Sequence, residues 1–152
     1  VKGLCFGIQR RYLMAITQAM CTSFKSEILQ EGHQMDTDTL KIALYTSSAS
    51  LAASTTAYTT SGEVASGNGY TTGGATLTST TVGTSSTTAY FDAADPSWTS
   101  ATFTANGALI YNDTNGDKAI AVLAFGGDFT VAGGTFTIVF PAAGANAIIR
   151  IA

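Results

Sequence analysis

From about residue 39 to its C-terminus, the chain is a succession of short segments in which apolar residues alternate with threonine, serine or alanine. Glycine, proline and Asn-Gly turn signals close these segments at intervals of about 8–12 residues, which is typical of antiparallel sandwiches and barrels. Because no regular alternation of strands with helices occurs, an α/β fold is not expected. The sequence predicts a mainly β fold, an antiparallel and jelly-roll-like β-sandwich or barrel, with strands over 39–46, 75–82, 87–92, 98–105, 108–112, 118–125, 129–131, 135–140 and 147–151.

The residue pattern within a segment predicts where its strand lies. In 39–46 every second residue is a large aliphatic one, which predicts a single buried face. The runs 120–125 and 138–140 are continuously apolar, which predicts central strands that are buried on both faces. The threonine-rich segment 75–82 predicts an edge strand or a strand that faces a partner.

Two hairpins are expected from the connections between these segments. The strands 75–82 and 87–92 are predicted to pair across 83–86. The clearer hairpin joins 108–112 to 118–125 through residues 113–117, which contain the Asn-Gly pair that primed hairpin turns favour.

The N-terminal quarter differs from this β pattern. Residues 14–38 are predicted to form a helix and a connection that precede a β-sandwich domain at 39–152. Apolar residues recur at helical spacing over 15–31, and Gly32 follows as a helix stop. Residues 1–13 resemble nothing that follows, so we expect either an N-terminal arm or an extension upstream of the natural start site.

The chain carries little charge, and its polar residues are mostly hydroxyls and amides. Charged residues are 11% of the total and the formal net charge is −3, whereas about 25% is usual. A nucleic-acid partner is not expected, because phosphate neutralisation needs clustered lysine and arginine. A surface of threonine, serine, alanine and glycine is cheap to dehydrate, which favours repeated contact with other proteins.

Neither membrane insertion nor a disulfide is expected. The uncharged run 129–149 is long, but glycines, threonines and Pro141 interrupt it, and a spanning helix needs about twenty predominantly apolar residues. Cys5 and Cys21 both lie in the N-terminal region. They are interpreted as free thiols.

No residue is assigned as catalytic, cofactor-binding or metal-binding. His33, the single histidine, follows the predicted helix, and the chain has no Gly-x-Ser-x-Gly elbow. Asp113-x-Asn115-x-Asp117 resembles the start of a calcium loop, but the position of the closing glutamate falls in an apolar strand. A hairpin turn explains the same residues, and cation binding stays open as the alternative.

The long segment 47–74 contains serine, threonine and glycine and is too long for a tight connection, so a functional or flexible loop is expected. Tyr58 and Tyr70 could anchor this loop or serve as contact residues. Three acids are candidates for a glycosidase-like pair of carboxylates, but they are interpreted as turn residues instead; they are Glu63, Asp92 and Asp95.

Four segments of the chain resemble a family of small structural proteins of tailed bacteriophages. They are residues 23–51, which include KIALYTSSASL, and residues 55–78, 107–127 and 136–152. The resemblance covers nearly all of the chain after about residue 20 and excludes residues 1–13. It implies a non-enzymatic virion protein, foremost a capsid decoration (cement) protein that binds the outer face of the phage head and stabilises it.

The same resemblance implies the partner, the location and the tail alternative, whereas the oligomeric form is expected on symmetry grounds and the carbohydrate alternative comes from the aromatic residues. The expected partner is the major capsid protein or another virion protein. The expected form is a homo-oligomer, with a trimer favoured, and the expected location is the virion, assembled in the host cytoplasm. The alternatives are a tail or head–tail connector component, or a carbohydrate- or receptor-binding β-sandwich. In the last case the stacking platforms would be Tyr58, Tyr70, Trp98 or Tyr111.

Overall fold

A computed structural model of the chain describes residues 15–152. Within that range the helix α1 (Thr22–Glu27) continues into a 3-10 turn at Ile28–Gln30. The strands are β1 (Ala19–Met20), β2 (Leu40–Tyr45), β3 (Ala75–Thr76), β4 (Thr81–Ser85), β5 (Thr88–Asp92), β6 (Ser97–Asn112), β7 (Lys118–Thr137) and β8 (Ile149–Ile151). The predictions for residues 1–13 and for Cys5 lie outside the described residues.

The strands form two antiparallel sheets. One has the order β1-β7-β6-β2-β3 and the other the order β4-β5-β8. Leu109 of the larger sheet and Phe91 of the smaller sheet belong to one buried apolar cluster, so the two sheets enclose a common core. The predicted fold class, mainly β and antiparallel with one short N-terminal helix, is confirmed, and of its two forms the structure has a sandwich-like pair of sheets instead of a closed barrel.

The centre of the molecule is a long hairpin made of β6, with 16 residues, and β7, with 20 residues. The prediction of five separate strands over this region is wrong, because its glycines form bulges instead of chain breaks. Opposite Asn106, residues 125–128 bulge out of β7, and Asn106 Nδ2 donates a hydrogen bond to Asp128 Oδ1 over 2.8 Å. A Cβ at Gly107 would lie 2.6 Å from Leu123 O and 2.7 Å from Ile16 Cγ2, so this glycine allows close packing within a continuous strand.

The predicted central strand at 138–140 is absent. β7 ends at Thr137, and Val139 is 75% exposed. Ile138 N–H still donates to Pro96 O over 3.0 Å, but Pro96 has no N–H to return a bond, so the ladder stops there. The other predicted buried run is only partly so: Ile120 and Val122 are fully buried, whereas the residues from 123 to 125 are half-buried.

Strand β2 confirms the predicted position of the first strand, but the prediction of a single buried face is wrong. Ala43 and Tyr45, which should face solvent, are fully buried. The long loop after β2 covers them, because Tyr45 Oη donates to Thr59 O over 2.6 Å and Val64 N–H donates to Leu44 O over 2.9 Å. A strand pattern cannot reveal cover that a remote loop provides.

The helix is much shorter than the predicted span 15–31. Ala19 and Met20 are extended and pair with Val122 and Ala121 of β7, which places them on the edge of the larger sheet. The apolar residues of this segment do recur at helical spacing. The edge of β7 nevertheless offers the segment backbone hydrogen bonds, which a local sequence pattern does not reveal. Glu31 takes the left-handed conformation (φ 58°), and Gly32 N–H donates to Glu27 O over 2.8 Å, which ends the helical segment in a Schellman-type bond.

The predicted pairing of 75–82 with 87–92 is correct only for its second half. β4 pairs with β5 across a tight turn at Ser86 and Thr87, and Gly83 lies within β4 opposite Tyr90, whose ring occupies the space that a Cβ would need. Ala75 and Thr76 instead pair with β2. Both pieces of the threonine-rich segment lie at sheet edges, as predicted.

Candidate functional site

His33 is a structural residue of the core in the described part of the chain. Its side chain is 0% exposed, and its ring lies edge-on to that of Phe24, with 5.0 Å between the centroids. Its Nε2 lies 2.8 Å from Glu27 Oε2 and its Nδ1 lies 3.0 Å from Asn112 Nδ2. Both ring nitrogens are therefore used by neighbours that fix the fold.

Asn112 decides which nitrogen of His33 carries the proton. Its Nδ2 also donates to Asp38 Oδ2 over 2.6 Å, and its Oδ1 accepts from Asn115 N–H over 3.0 Å, so the amide cannot be reversed without losing both bonds. Since an amide nitrogen only donates, Nδ1 is the acceptor and Nε2–H points at the carboxylate of Glu27.

Glu27 balances this cluster electrostatically. Its partial burial raises the pKa of the carboxyl group, but the hydrogen bond with His33 and the Lys118 ammonium, 3.4 Å away, outweigh that effect and hold the pKa of Glu27 below its ordinary value. The carboxylate is thus a counter-charge that fastens α1 to the start of β7.

The acids of the predicted calcium-like sequence lie in the β6–β7 turn, as the hairpin prediction expected. Asp113 Oδ1 is 2.9 Å from Lys41 Nζ, the Asn115 side chain donates to Gly32 O, and Asp117 O accepts from Tyr58 N–H over 2.8 Å. These bonds tie the turn to three neighbouring segments. Among residues 15–152, no group of three or more His, Cys, Asp or Glu could hold a metal ion.

Glu63 organises the long loop that follows β2. Its Oε1 accepts from Tyr70 Oη (2.6 Å) and Gly73 N–H (2.7 Å), and its Oε2 accepts from Tyr58 Oη (2.6 Å). Burial and the hydrogen bonds to Glu63 raise the pKa of both tyrosines well above its ordinary value. Of the two predicted roles for Tyr58 and Tyr70, the structure shows the anchoring one.

The other two acids have no shared chemistry in the structure. Asp95 Oδ1 accepts the Phe140 N–H over 2.8 Å and thereby fixes the segment after β7. Asp92 Oδ1 is buried at the end of β5 without a hydrogen-bond partner among the described residues. Cys21 is a free, buried thiol, and its burial together with the charge of Glu27 raises its pKa to about 11, so it is not an activated nucleophile.

The aromatic residues considered as sugar platforms are committed to packing. Trp98, Tyr70 and Tyr111 are almost fully buried. Tyr58 stacks on Tyr111 with 4.7 Å between the ring centroids, which leaves its partner face covered. A stacking platform for sugar needs an open ring face, and the three buried rings do not offer one, whereas Tyr58 is half-buried.

An apolar groove lies between α1 and the smaller sheet. It has a volume of about 390 Å³. Phe24, Ile28, Met35 and the strand residues Phe91 and Ile149 contribute to its walls. Its polar lining residues are His33, Gln34, Asp36, Tyr90 and Arg150, of which His33 is already bonded to Glu27 and Asn112.

Two ion pairs between amino acids far apart in the sequence lie at one end of the molecule. Lys41 pairs with Asp113, and Lys118 pairs with Glu27, so α1, the segment after it and the β6–β7 turn form one ionic end. The opposite end is built from residues 97–105 of β6 and 129–137 of β7, which we call the distal ribbon. The distal ribbon contains no charged residue.

The two faces of the distal ribbon differ in chemistry. On the inner face, Trp98 and Phe103 pack with Phe136 and with Tyr70 of the anchored loop. On the outer face lie threonines, and Thr104 and Thr130 share a hydrogen bond of 2.8 Å across the two strands. The exposed threonines of this end are Thr99, Thr102, Thr130, Thr135 and Thr137.

The outer edge of β7 is open along the distal ribbon. β1 pairs with Ala121 and Val122 only, and within residues 15–152 no strand other than β6 pairs with 124–137. The edge of β6 is covered, since Thr102 N–H donates to Asn68 O over 2.9 Å. Phe129 is 54% exposed at this open edge.

This surface is the part of the molecule that the sequence interpretation missed. The run 129–149 is rejected as a membrane span and predicted to contain strands, but the sequence does not show that residues 129–137 form one side of an exposed ribbon with an open edge. The signal was the absence of lysine and glutamate, which edge strands ordinarily carry to prevent pairing with other chains. No described helix is both long and apolar enough to cross a membrane.

Comparisons with known protein families, with curated proteins and with solved structures gave no match for this chain.

Proposed function

We propose that the protein is a non-enzymatic structural protein of a phage virion, a capsid decoration protein that binds the outer face of the head as a homo-oligomer and stabilises it. The observation that carries the proposal is the distal ribbon, an uncharged, threonine-covered surface on a rigid sandwich. The phage-family resemblance of the sequence supplies the partner, the major capsid protein, and the location, a virion assembled in the host cytoplasm.

Hydroxyl-covered surface suits such a partner for a physical reason. Thr side chains give up few strongly held waters when they are buried, whereas each lysine or glutamate would have to be paired in the contact. A decoration protein repeats one contact at many equivalent positions on a shell, so a low desolvation cost per contact counts at every site. The anchoring of the long loop by Glu63 keeps the body behind the ribbon rigid.

The direct test is to incubate purified protein with undecorated capsids of the same phage and to image them by cryo-electron microscopy. We expect ordered density at repeated outer positions, with the distal ribbon against the shell. The variant Thr99→Lys/Thr137→Lys should lose occupancy, because it buries two unpaired ammonium groups in the contact. Thr81→Lys/Thr84→Lys adds the same charge at exposed positions of β4 and should decorate like wild type.

Bare capsids with wild-type protein would overturn the decoration role. The same preparation can then be mixed with purified tails and connectors, where binding would assign the protein to the tail or head–tail junction. A carbohydrate-binding role has less support, because three of the four aromatic rings that would carry it are buried and the fourth, Tyr58, is half-buried and stacked on Tyr111.

A further inference from the structure

The open edge of β7 has a sequence that reads almost the same from both ends. From Phe129 to Phe136 the residues are Phe-Thr-Val-Ala-Gly-Gly-Thr-Phe. Two antiparallel copies of this edge, related by a two-fold axis, would place Phe129 opposite Phe136 and Thr130 opposite Thr135. In an antiparallel pair, directly opposed residues lie on the same face of the sheet. Phe129 must therefore lie on the same face as Phe136, and Thr130 on the same face as Thr135.

A bulge in β7 makes the faces agree. Phe129 and Phe136 are seven positions apart and would lie on opposite faces of a regular strand. The register with β6 skips Gly133, whose φ is 67°, because Thr102 pairs with Ala132 while Ala101 pairs with Gly134. The extra residue returns the phenylalanines to one face and the two threonines to the other.

The middle of this segment leaves room for a second backbone. A Cβ added at Gly133 would meet no atom within 4 Å, and Gly134 would meet only the Val131 side chain at 3.4 Å. Glycine at such a position permits close approach of another chain. The exposed ring of Phe129, which packs edge-on against Phe125 with 6.1 Å between centroids, would be covered by the opposing copy.

We propose that the β7 edge from Phe129 to Phe136 is a self-association site, through which a second copy of this chain pairs antiparallel about a two-fold axis to join the two larger sheets. The contact therefore makes a dimer, in place of the trimer favoured on symmetry grounds from the sequence. It deepens the self-association contained in the proposed function and rests on that part alone. Capsid binding is not needed for it.

The test uses the full-length protein without capsids and measures its mass by analytical ultracentrifugation over a range of concentrations. We expect a monomer–dimer equilibrium for wild type. Thr130→Lys/Thr135→Lys sets like charges against each other twice across the two-fold axis, and its dissociation constant should rise by about tenfold or more. Thr130→Lys/Thr135→Glu sets opposite charges against each other in the same register and should restore the wild-type constant.

Two controls keep the outcome specific. Thr81→Lys/Thr84→Lys places the same added charge on the edge strand of the smaller sheet and should dimerise like wild type. Circular dichroism of each variant shows whether it is folded, so that only folded proteins are compared.

Three results would overturn the site. A wild-type chain that stays monomeric at every concentration would do so, as would a failure of the charge-swapped variant to recover. A dimer that forms only after removal of residues 1–14 would show that this segment, and not a second copy, occupies the β7 edge. Because no capsid is present, none of these results bears on decoration.

Discussion

At the scale of single residues, Glu63 is the side chain on which most of the loop geometry depends. Its carboxylate accepts from two tyrosine hydroxyls and from one backbone N–H. We expect Glu63→Ala to lower the free energy of unfolding by about 3 kcal/mol, because several partly buried donors lose their acceptor at once. Glu63→Gln should cost less, about 1–2 kcal/mol, since its amide retains an acceptor oxygen.

Urea unfolding followed by circular dichroism measures both changes. Asp36→Ala is a suitable control, because Asp36 is an exposed acid whose side chain makes no hydrogen bond within the described residues, and it should shift the free energy by no more than about 0.5 kcal/mol. Equal effects for Glu63→Ala and Asp36→Ala would show that the loop is held by other contacts.

Single-residue roles were the least predictable part of this chain from sequence. The sequence identified Tyr58 and Tyr70 as possible anchors but gave Glu63 no role beyond a turn acid. The carboxylate acquires its role through contacts with residues up to ten positions away in an irregular loop, where no periodic pattern links donor to acceptor. The bonds of Asn112 to His33 and Asp38 span 79 and 74 positions, and no local pattern indicates them.

At the scale of elements, the continuity of β6 depends on Gly107. The glycine lets β6 pass between Leu123 O and the Ile16 side chain. We expect Gly107→Ala to lower the free energy of unfolding by about 2 kcal/mol, because the added methyl group overlaps backbone that cannot move without breaking the β6–β7 ladder. Thermal melting measures the change.

Gly127→Ala is the matched control, since a Cβ at Gly127 meets no atom within 4 Å and its φ is not in the left-handed region. It should change the stability by less than about 0.5 kcal/mol. If Gly107→Ala had the same melting temperature as Gly127→Ala, the bulge next to Asn106 would be able to shift enough to accommodate the added methyl group.

Element positions could be predicted where a buried periodic pattern coincided with a turn signal. The first strand and the hairpin turn at 113–117 meet that condition and were predicted correctly. The glycines of β7 were misinterpreted because a bulge and a chain break use the same residues, and only the partner strand distinguishes them. The predicted helix is too long because Ala19 and Met20 pair with Val122 and Ala121 at the sheet edge, while residues 15–17 bond with Leu51.

At the scale of the whole molecule, the fold encloses four tyrosines that can ionise only with difficulty. Burial raises the pKa of each of them above its ordinary value. The pKa of each tyrosine is higher in the folded state than in the unfolded chain. The contribution of the four tyrosines to stability is therefore fully present below about pH 10 and is lost as the pH rises above it. The four are Tyr45, Tyr58, Tyr70 and Tyr111.

We therefore expect the melting temperature to fall steeply above about pH 10, and tyrosinate absorbance at these four positions to appear together with unfolding. Tyr70→Phe removes one ionisable group and should make the fall less steep, even though its starting stability is lower. Tyrosinate absorbance equivalent to more than two of the six tyrosines of the chain, in a protein that keeps its circular dichroism signal, would contradict the burial of these four.

The fold class followed from composition and turn spacing alone, since both are averages over the chain and tolerate local errors. The distribution of charge into an ionic end and an uncharged distal ribbon could not be predicted in this way. It arises because residues 25–41 and 113–118, which are far apart in the sequence, lie side by side in the folded structure. The distal ribbon therefore could not be identified without knowing how the strands pair.

The order of the larger sheet also has a consequence for synthesis. β2 pairs with residues 107–112, and β1 pairs with Ala121 and Val122, so both strands leave the ribosome well before their partners. At roughly 5–20 residues per second, β2 waits several seconds for β6 to be translated. During that interval Leu40, Ile42 and Leu44 are apolar side chains without a sheet. A nascent chain of this protein should bind chaperones until β8 has been translated, and the sandwich should then close in one late step.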